Sequence, residues 1–313
     1  MNKLLSANFS RLKKDISFRI GILYMFAIGI IVPLSNFITM KKYGYTISLE
    51  SGFCLYAFFM AILSSVFCSL FIGTEYNDGT MRNKLIAGHS RTAVYFSFLI
   101  VSIAAIFLMC LAYLISSLCT GIPLLGFFSD AAFPIVLGHI GTIFILAVAF
   151  TSICTAAAML CQNKAATATV CILGVFIFLF FGAYIRARLE EPEYDQAYYF
   201  ETEETSEAES APPTPNPWYV SGTKRQVYEF LHDFLPGNQA MQLCTLSADN
   251  LWKMSFYSIL ILLVDIGSQL AHMFVAAGYG DKRIGIFRKL FGKLGGDLPC
   301  RFFHKIYFHA HCR

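Results

Sequence analysis

The residues best placed to do chemistry lie in one polar segment, residues 72–92, between two long apolar runs. Glu75 and Asp78 come just before a short amphipathic stretch, and Arg82 and Lys84 lie inside it. Carboxylates ahead of a helix complement its dipole, and bases along it offer a charged surface. This pattern is typical of a docking element for another macromolecule, and it contains no catalytic set.

Four residues of this segment predict a short helix with marked ends. Thr80 is placed to cap its N-terminus and Gly88 to close its C-terminus. Met81 and Leu85 are four residues apart and share a face, from which Arg82 points away. The alternative is a solvated loop that connects two membrane spans.

A second candidate is an intramembrane polar site in the last apolar run, residues 251–277. Asp265 and His272 are seven residues apart and therefore share a helix face, where they could pair toward the interior of a bundle. An unpaired charge near mid-bilayer costs roughly 2.5–3.5 kcal/mol or more. The competing interpretation is a shorter span that ends near Val264.

Signatures of catalysis and of cofactor or metal binding are missing from the sequence. The stretch from Gly285 to Lys293 does not have the spacing of a phosphate-binding loop. The Cys and His residues after residue 299 do not match zinc-ligand spacings. We therefore predict a chain that is not an enzyme and that binds no cofactor or metal of its own.

Composition predicts an integral membrane protein. Hydrophobic residues make up 56% of the 313 residues and charged residues only 14%, whereas soluble chains carry about 25% charged residues. A membrane-crossing helix needs about 20 apolar residues, and in lipid its backbone must be bonded internally. Six runs meet that length: 20–40, 52–72, 93–118, 132–160, 165–185 and 251–277. The predicted fold class is an all-α integral membrane protein with six transmembrane helices.

The segments outside the spans set the predicted orientation. Residues 1–19 form a basic amphipathic helix with Leu5, Phe9, Leu12 and Ile16 on one face, which predicts an interfacial helix. Lys and Arg are concentrated in this helix, in the loop at 73–92 and in a basic tail at 278–313. Because positive segments stay inside, both termini are predicted to be cytoplasmic. The basic tail and helix also predict contact with membrane lipids.

The segment 186–250 is predicted to lie outside the cell. Its first part, 187–217, is acidic and contains several prolines, so we predict a flexible loop. Capture of a cationic peptide or metal ion is the alternative role. In its second part Val227, Phe230, Leu231 and Phe234 predict an amphipathic helix. A break at 236–238 would separate it from a second short helix at 239–246.

The loop pattern resembles that of a known family, the ABC-2 type permeases, which are membrane subunits of bacterial ATP-driven exporters. The resemblance rests on a motif directly after the second span, formed by Gly73, Glu75, Tyr76, Gly79, Thr80, Arg82, Lys84, Leu85 and Arg91. In that family this loop carries a coupling helix that docks on a separate ATPase. The resemblance therefore assigns these residues to ATPase coupling.

The resemblance also implies partners and a setting. Two such subunits, identical or related, would pair with two ATPase subunits, which bind ATP and magnesium, in a bacterial cell membrane. Paired outer helices before the last span would cap the pathway, and no nucleic acid would take part. The acidic outer loop and modest size suggest a drug or an antimicrobial peptide as cargo.

Two other classes of function compete with this interpretation. A non-transporting six-span receptor or immunity protein would bind its ligand through the acidic outer loop and would not need Glu75. A channel would need polar positions repeated along several spans. Spans 52–72 and 93–118 carry almost none, which counts against a channel.

Overall fold

A computed structural model shows how the six apolar runs are arranged. It describes residues 2–129, 131–195, 214–246 and 251–291, with the backbone alone at residues 195, 272 and 274–291. The helices are α1 (Asn2–Lys14), α2 (Ile16–Tyr43), α3 (Glu50–Phe53), α4 (Tyr56–Asn77), α5 (Thr80–Ile86), α6 (Arg91–Leu125), α7 (Phe133–Cys161), α8 (Lys164–Glu190), α9 (Gly222–Phe234), α10 (Pro236–Leu243) and α11 (Leu251–Phe291). A two-residue strand β1 (Tyr194–Asp195) pairs antiparallel with β2 (Thr214–Pro215).

The predicted all-α membrane fold is confirmed. Six helical segments are long and apolar enough to cross a bilayer: α2, α3 with α4, α6, α7, α8 and residues 251–271 of α11. Most of these helices extend beyond the predicted runs. The second, for example, continues to Asn77, so that Gly73 and Glu75 belong to a helix and not to a loop.

The core of the bundle forms around α4, which packs against α6, α7 and α8, while α2 packs against α6. Small residues allow this close approach. A Cβ built on Gly29 of α2 would lie 2.0 Å from Ser116 Oγ of α6. On α7, Thr151 and Thr155 are fully buried, and their four-residue spacing puts these small side chains on one helix face that neighbours can approach closely.

Helix α1 packs differently from the prediction. Its buried residues are Leu4, Asn8 and Leu12, and the helix contacts α6. Ile16, predicted for the same apolar face, is the first residue of α2 and is 71% exposed. The helix breaks at Asp15, whose side chain caps α2, and this break turns Ile16 away from the bundle.

The sixth span is a single helix with no break at Val264 or at residue 277. Helix α11 runs from Leu251 to Phe291. The predicted boundary between span and tail, at 277 and 278, therefore falls inside a helix, and whether the span ends there stays a prediction. Residues 292–313, with the Cys and His residues of the tail, lie outside the described residues.

The segment before α11 also departs from the prediction. Helix α8 continues to Glu190, so residues 187–190 are helical and not part of a loop. Residues 196–213, most of the predicted acidic loop, lie outside the described residues. Helix α9 ends at Phe234 as predicted, but α10 begins at Pro236, because proline is well suited to the first turn of a helix. The predicted break at 236–238 is thus the start of the second helix.

Candidate functional site

Helix α5 connects α4 to α6 at one end of the bundle, which we call the α5 end. Gly79 precedes it with φ of +69°, a conformation that favours glycine, and so turns the chain out of α4. At the other end of α5, Gly88 has φ of +86° and His89 N–H donates to Lys84 C=O at 3.3 Å. This αL glycine closes the helix as the sequence predicts.

The predicted capping role of Thr80 is wrong. Gly79 occupies the cap position, and Thr80 is the first residue of α5. The Thr80 hydroxyl donates to the carboxylate of Glu75 at 2.5 Å and contacts the Glu75 carbonyl oxygen at 3.1 Å. Thr80 therefore ties α5 to the end of α4.

Glu75 is the centre of a buried ion cluster that joins three helices. Its residue surface is only 4% exposed. Arg11 of α1 donates to one carboxylate oxygen, and Lys84 Nζ of α5 lies 2.9 Å from the other. The carboxylate thus binds two cations and one hydroxyl at once. We call Arg11, Glu75, Thr80 and Lys84 the Glu75 cluster.

Neighbouring polar and aromatic groups extend the cluster to α6. Lys84 Nζ also donates to Asn8 Oδ1 at 3.0 Å, and Asn8 Nδ2 donates to Ser97 Oγ at 2.8 Å. The Lys84 ammonium lies 4.4 Å from the ring centroid of Phe98. Asn8, which interrupts the apolar spacing of Leu4 and Leu12, is the one sequence signal for this connection.

Each charged group of the cluster is stable in its buried position only because the opposite charges lie beside it. Burial lowers the pKa of the Lys84 ammonium, and its hydrogen bond to Glu75 opposes that change. Removing one member of a buried ion pair leaves an uncompensated charge, at a cost of about 3–5 kcal/mol. Glu75 therefore holds α1, α4 and α5 together.

The nine predicted coupling residues divide into internal and exposed groups. Gly73 packs against α8, where an added Cβ would lie 3.0 Å from Lys164 Cα. Tyr76 donates to Met159 Sδ of α7 at 3.1 Å, and Leu85 packs against the core. Of the remaining predicted residues, Thr80, Arg82 and Arg91 are exposed.

The outer face of α5 combines an apolar centre with polar neighbours. Ile86 is 58% exposed. Arg82, Asn83 and Arg91 are exposed as well. We call Arg82, Asn83 and Ile86 of α5, together with Arg91 at the start of α6, the α5 face. An apolar centre with a polar rim is the usual composition of a protein interface.

The second candidate site lies between α6, α7 and α11. Ser152 of α7 donates to the carboxylate of Asp265, and the fully buried Tyr95 lies beside them. Tyr95 lies only four residues after the start of α6, which is at the α5 end. The Asp265 group therefore lies close to the α5 end of the bundle, whereas the sequence predicts a position near the middle of the membrane. The side chain of His272 lies outside the described residues, so the predicted pairing with Asp265 stays a prediction.

Within the described part of the chain, no group of three or more His, Cys, Asp or Glu residues could hold a metal ion. Cys119 and Cys244 are both free thiols. The Cys244 thiol donates to Ala240 C=O at 3.1 Å.

Comparisons with family models, with curated proteins and with solved structures give no match to this chain. Its functional interpretation therefore depends on the geometry of its own sites.

Proposed function

We propose that this multi-pass membrane protein is the permease subunit of an ATP-driven exporter and that α5 is its coupling helix. The observation that supports this most directly is the Glu75 cluster. It fixes a short helix to α1 and to the ends of α4 and α6, and leaves the opposite face of that helix exposed. A coupling element needs both a free docking face and a firm connection to the spans.

The contacts of α5 give a route by which a push on it would reach the membrane. Lys84 connects α5 to Glu75 at the end of α4 and, through Asn8, to Ser97 of α6. Arg11 connects the same carboxylate to α1. Because these contacts are buried or partly buried, and those of Glu75 are charged, α5 would move with the helix ends it is bound to and not slide over them.

The proposal includes the rest of the assembly. Two ATPase subunits would bind ATP and magnesium, and a second permease subunit, identical or related, would complete the pathway in a bacterial cell membrane. The α5 end would face the cytoplasm, with both termini on that side. The cargo would be a drug or an antimicrobial peptide.

The test is recovery of the ATPase with the permease. The chain, tagged and co-expressed with an ATPase encoded next to its gene, is extracted in mild detergent and purified by the tag. We expect stoichiometric ATPase with the unchanged chain. Arg82→Glu and Ile86→Glu should each abolish that recovery, because both side chains are exposed on the α5 face and their loss leaves the core intact.

The matched control is charge reversal at the opposite end of the molecule. Lys41 and Lys42 lie in the last turn of α2, and both are exposed. Lys41→Glu and Lys42→Glu should leave ATPase recovery unchanged. Recovery that survives both α5 substitutions would move the contact away from α5. A folded chain that never retains the ATPase would refute the export proposal and favour a receptor.

A further inference from the structure

Three exposed cations gather where α1 meets α2. Lys13 and Lys14 end α1, and Arg19 lies in the first turn of α2. All three side chains are exposed. They flank Asp15, the residue at which the chain turns from one helix into the other.

The turn directs the Arg19 guanidinium toward the lysines. Arg19 Nε and Nη2 donate to the carbonyl oxygen of Lys13 at 3.3 and 3.1 Å. Asp15 is the only acidic residue among the first 49. Its carboxylate accepts from the backbone N–H of Phe18 at 3.1 Å as the cap of α2. The junction is therefore positive, and its single acid is used to start the helix.

An apolar strip continues directly from these cations. Ile16, Ile20 and Leu23 are 71%, 60% and 67% exposed and follow the i, i+4, i+7 spacing of one helix face. Arg19 is three residues from Ile16 and four from Leu23, so it shares that face. Because α2 is long and apolar enough to span a membrane, this exposed face would meet acyl chains. Arg19 thus lies where the apolar strip begins, at headgroup depth.

We infer that this junction binds the headgroup of an anionic phospholipid. The phosphate oxygens would accept from the Arg19 guanidinium and from the ammonium groups of Lys13 and Lys14. The acyl chains would lie along Ile16, Ile20 and Leu23. We call these six residues the lipid junction. A lipid fits better than a free phosphate ion. The ion would contact only the three cations, whereas a lipid would also cover the apolar strip with its acyl chains.

The site does not depend on export or on an ATPase. A lipid held at this position would also fix the angle between α1 and α2. Since Arg11 of α1 binds Glu75, the lipid would also support the Glu75 cluster through α1.

Retention of lipid by the full chain tests the inference. The chain is purified from bilayers with equal amounts of phosphatidylglycerol and phosphatidylcholine, and bound lipid is counted by native mass spectrometry. We expect phosphatidylglycerol to be enriched. Lys13→Gln, Lys14→Gln and Arg19→Gln should each reduce that preference about fivefold, since each basic residue near an anionic surface contributes about 1 kcal/mol.

The control removes two positive charges from the other end of α2. Lys41→Gln with Lys42→Gln should leave the preference intact, although each of these lysines also lies over an aromatic ring. An equal loss in this control would show a general charge effect and overturn the site. An unchanged preference after all three junction substitutions would overturn it as well.

A second measurement keeps the three cations in place, in case their loss impairs folding. The two native tryptophans, Trp218 and Trp252, are replaced by phenylalanine, and Ile20→Trp puts a reporter on the apolar strip. Brominated phosphatidylglycerol should quench it more strongly than brominated phosphatidylcholine at equal mole fraction. Equal quenching would refute the inference. So would inorganic phosphate that stabilises the chain as much as phosphatidylglycerol, because it would indicate a site for free anions.

Discussion

Helices α5 and α10 are both short and lie at opposite ends of the bundle, and they are held by different forces. Only Met81 of α5 is buried, and charged side chains of the Glu75 cluster hold this helix. Helix α10 has six buried residues and is held by close packing. A Cβ on Gly237 would lie only 2.1 Å from the carbonyl oxygen of Phe178 in α8.

The polar contacts of α10 follow the same contrast. They are neutral and directed inward. Gln239 Nε2 donates to the Asp233 carbonyl at 2.8 Å, and its Oε1 accepts from Ser258 at 2.6 Å. Helix α10 is thus packed into the bundle on most of its surface. Helix α5 is held by a few strong contacts on one side, and the side chains of its other face are exposed.

The largest effect is expected from removing the ionic contacts that hold α5. Glu75→Gln leaves Arg11 and Lys84 with no carboxylate between them, so we expect a loss of about 3–5 kcal/mol in the free energy of unfolding. Hydrogen exchange at residues 80–89 should rise before exchange in the spans does. Glu229→Gln is the control, because Glu229 forms only an exposed pair with Arg225. Equal losses in the two variants would show that burial of the Glu75 cluster has no special weight.

A smaller effect is expected from disturbing the close packing of α10 against α8. Gly237→Ala forces the backbone of α10 away from α8 and should cost about 1–3 kcal/mol, with faster exchange confined to α9 and α10. Gly141→Ala is the matched control, since a Cβ there meets nothing within 4 Å. That control should be neutral or slightly stabilising. A harmless Gly237→Ala would mean that α10 is not held by close packing.

The smallest effect is expected at an exposed charged contact next to α10. Lys253 pairs with Asp233, but the lysine side chain is 38% exposed. Water screens such a pair, so Lys253→Gln should change the unfolding free energy by at most about 1 kcal/mol. Thermal unfolding in detergent measures this. A loss as large as that of Glu75→Gln would remove the difference between the two ends.

The elements that the sequence predicts well are those set by local pattern. The six spans follow from apolar length, and α9 follows from the spacing of Val227, Phe230, Leu231 and Phe234. The closure of α5 at Gly88 follows from the need for a left-handed residue after a helix. In each case the deciding interactions lie within a few residues of one another.

Only the tertiary structure decides which charges of the motif are exposed and which are internal. The motif places Glu75, Arg82 and Lys84 close together in sequence, but the partner that buries Glu75 is Arg11, 64 residues earlier. No local spacing encodes that pairing. The burial of α10 likewise depends on contacts with α8 and α11. Hydropathy determines which segments enter the membrane, whereas packing between residues far apart in sequence determines which polar side chains become buried.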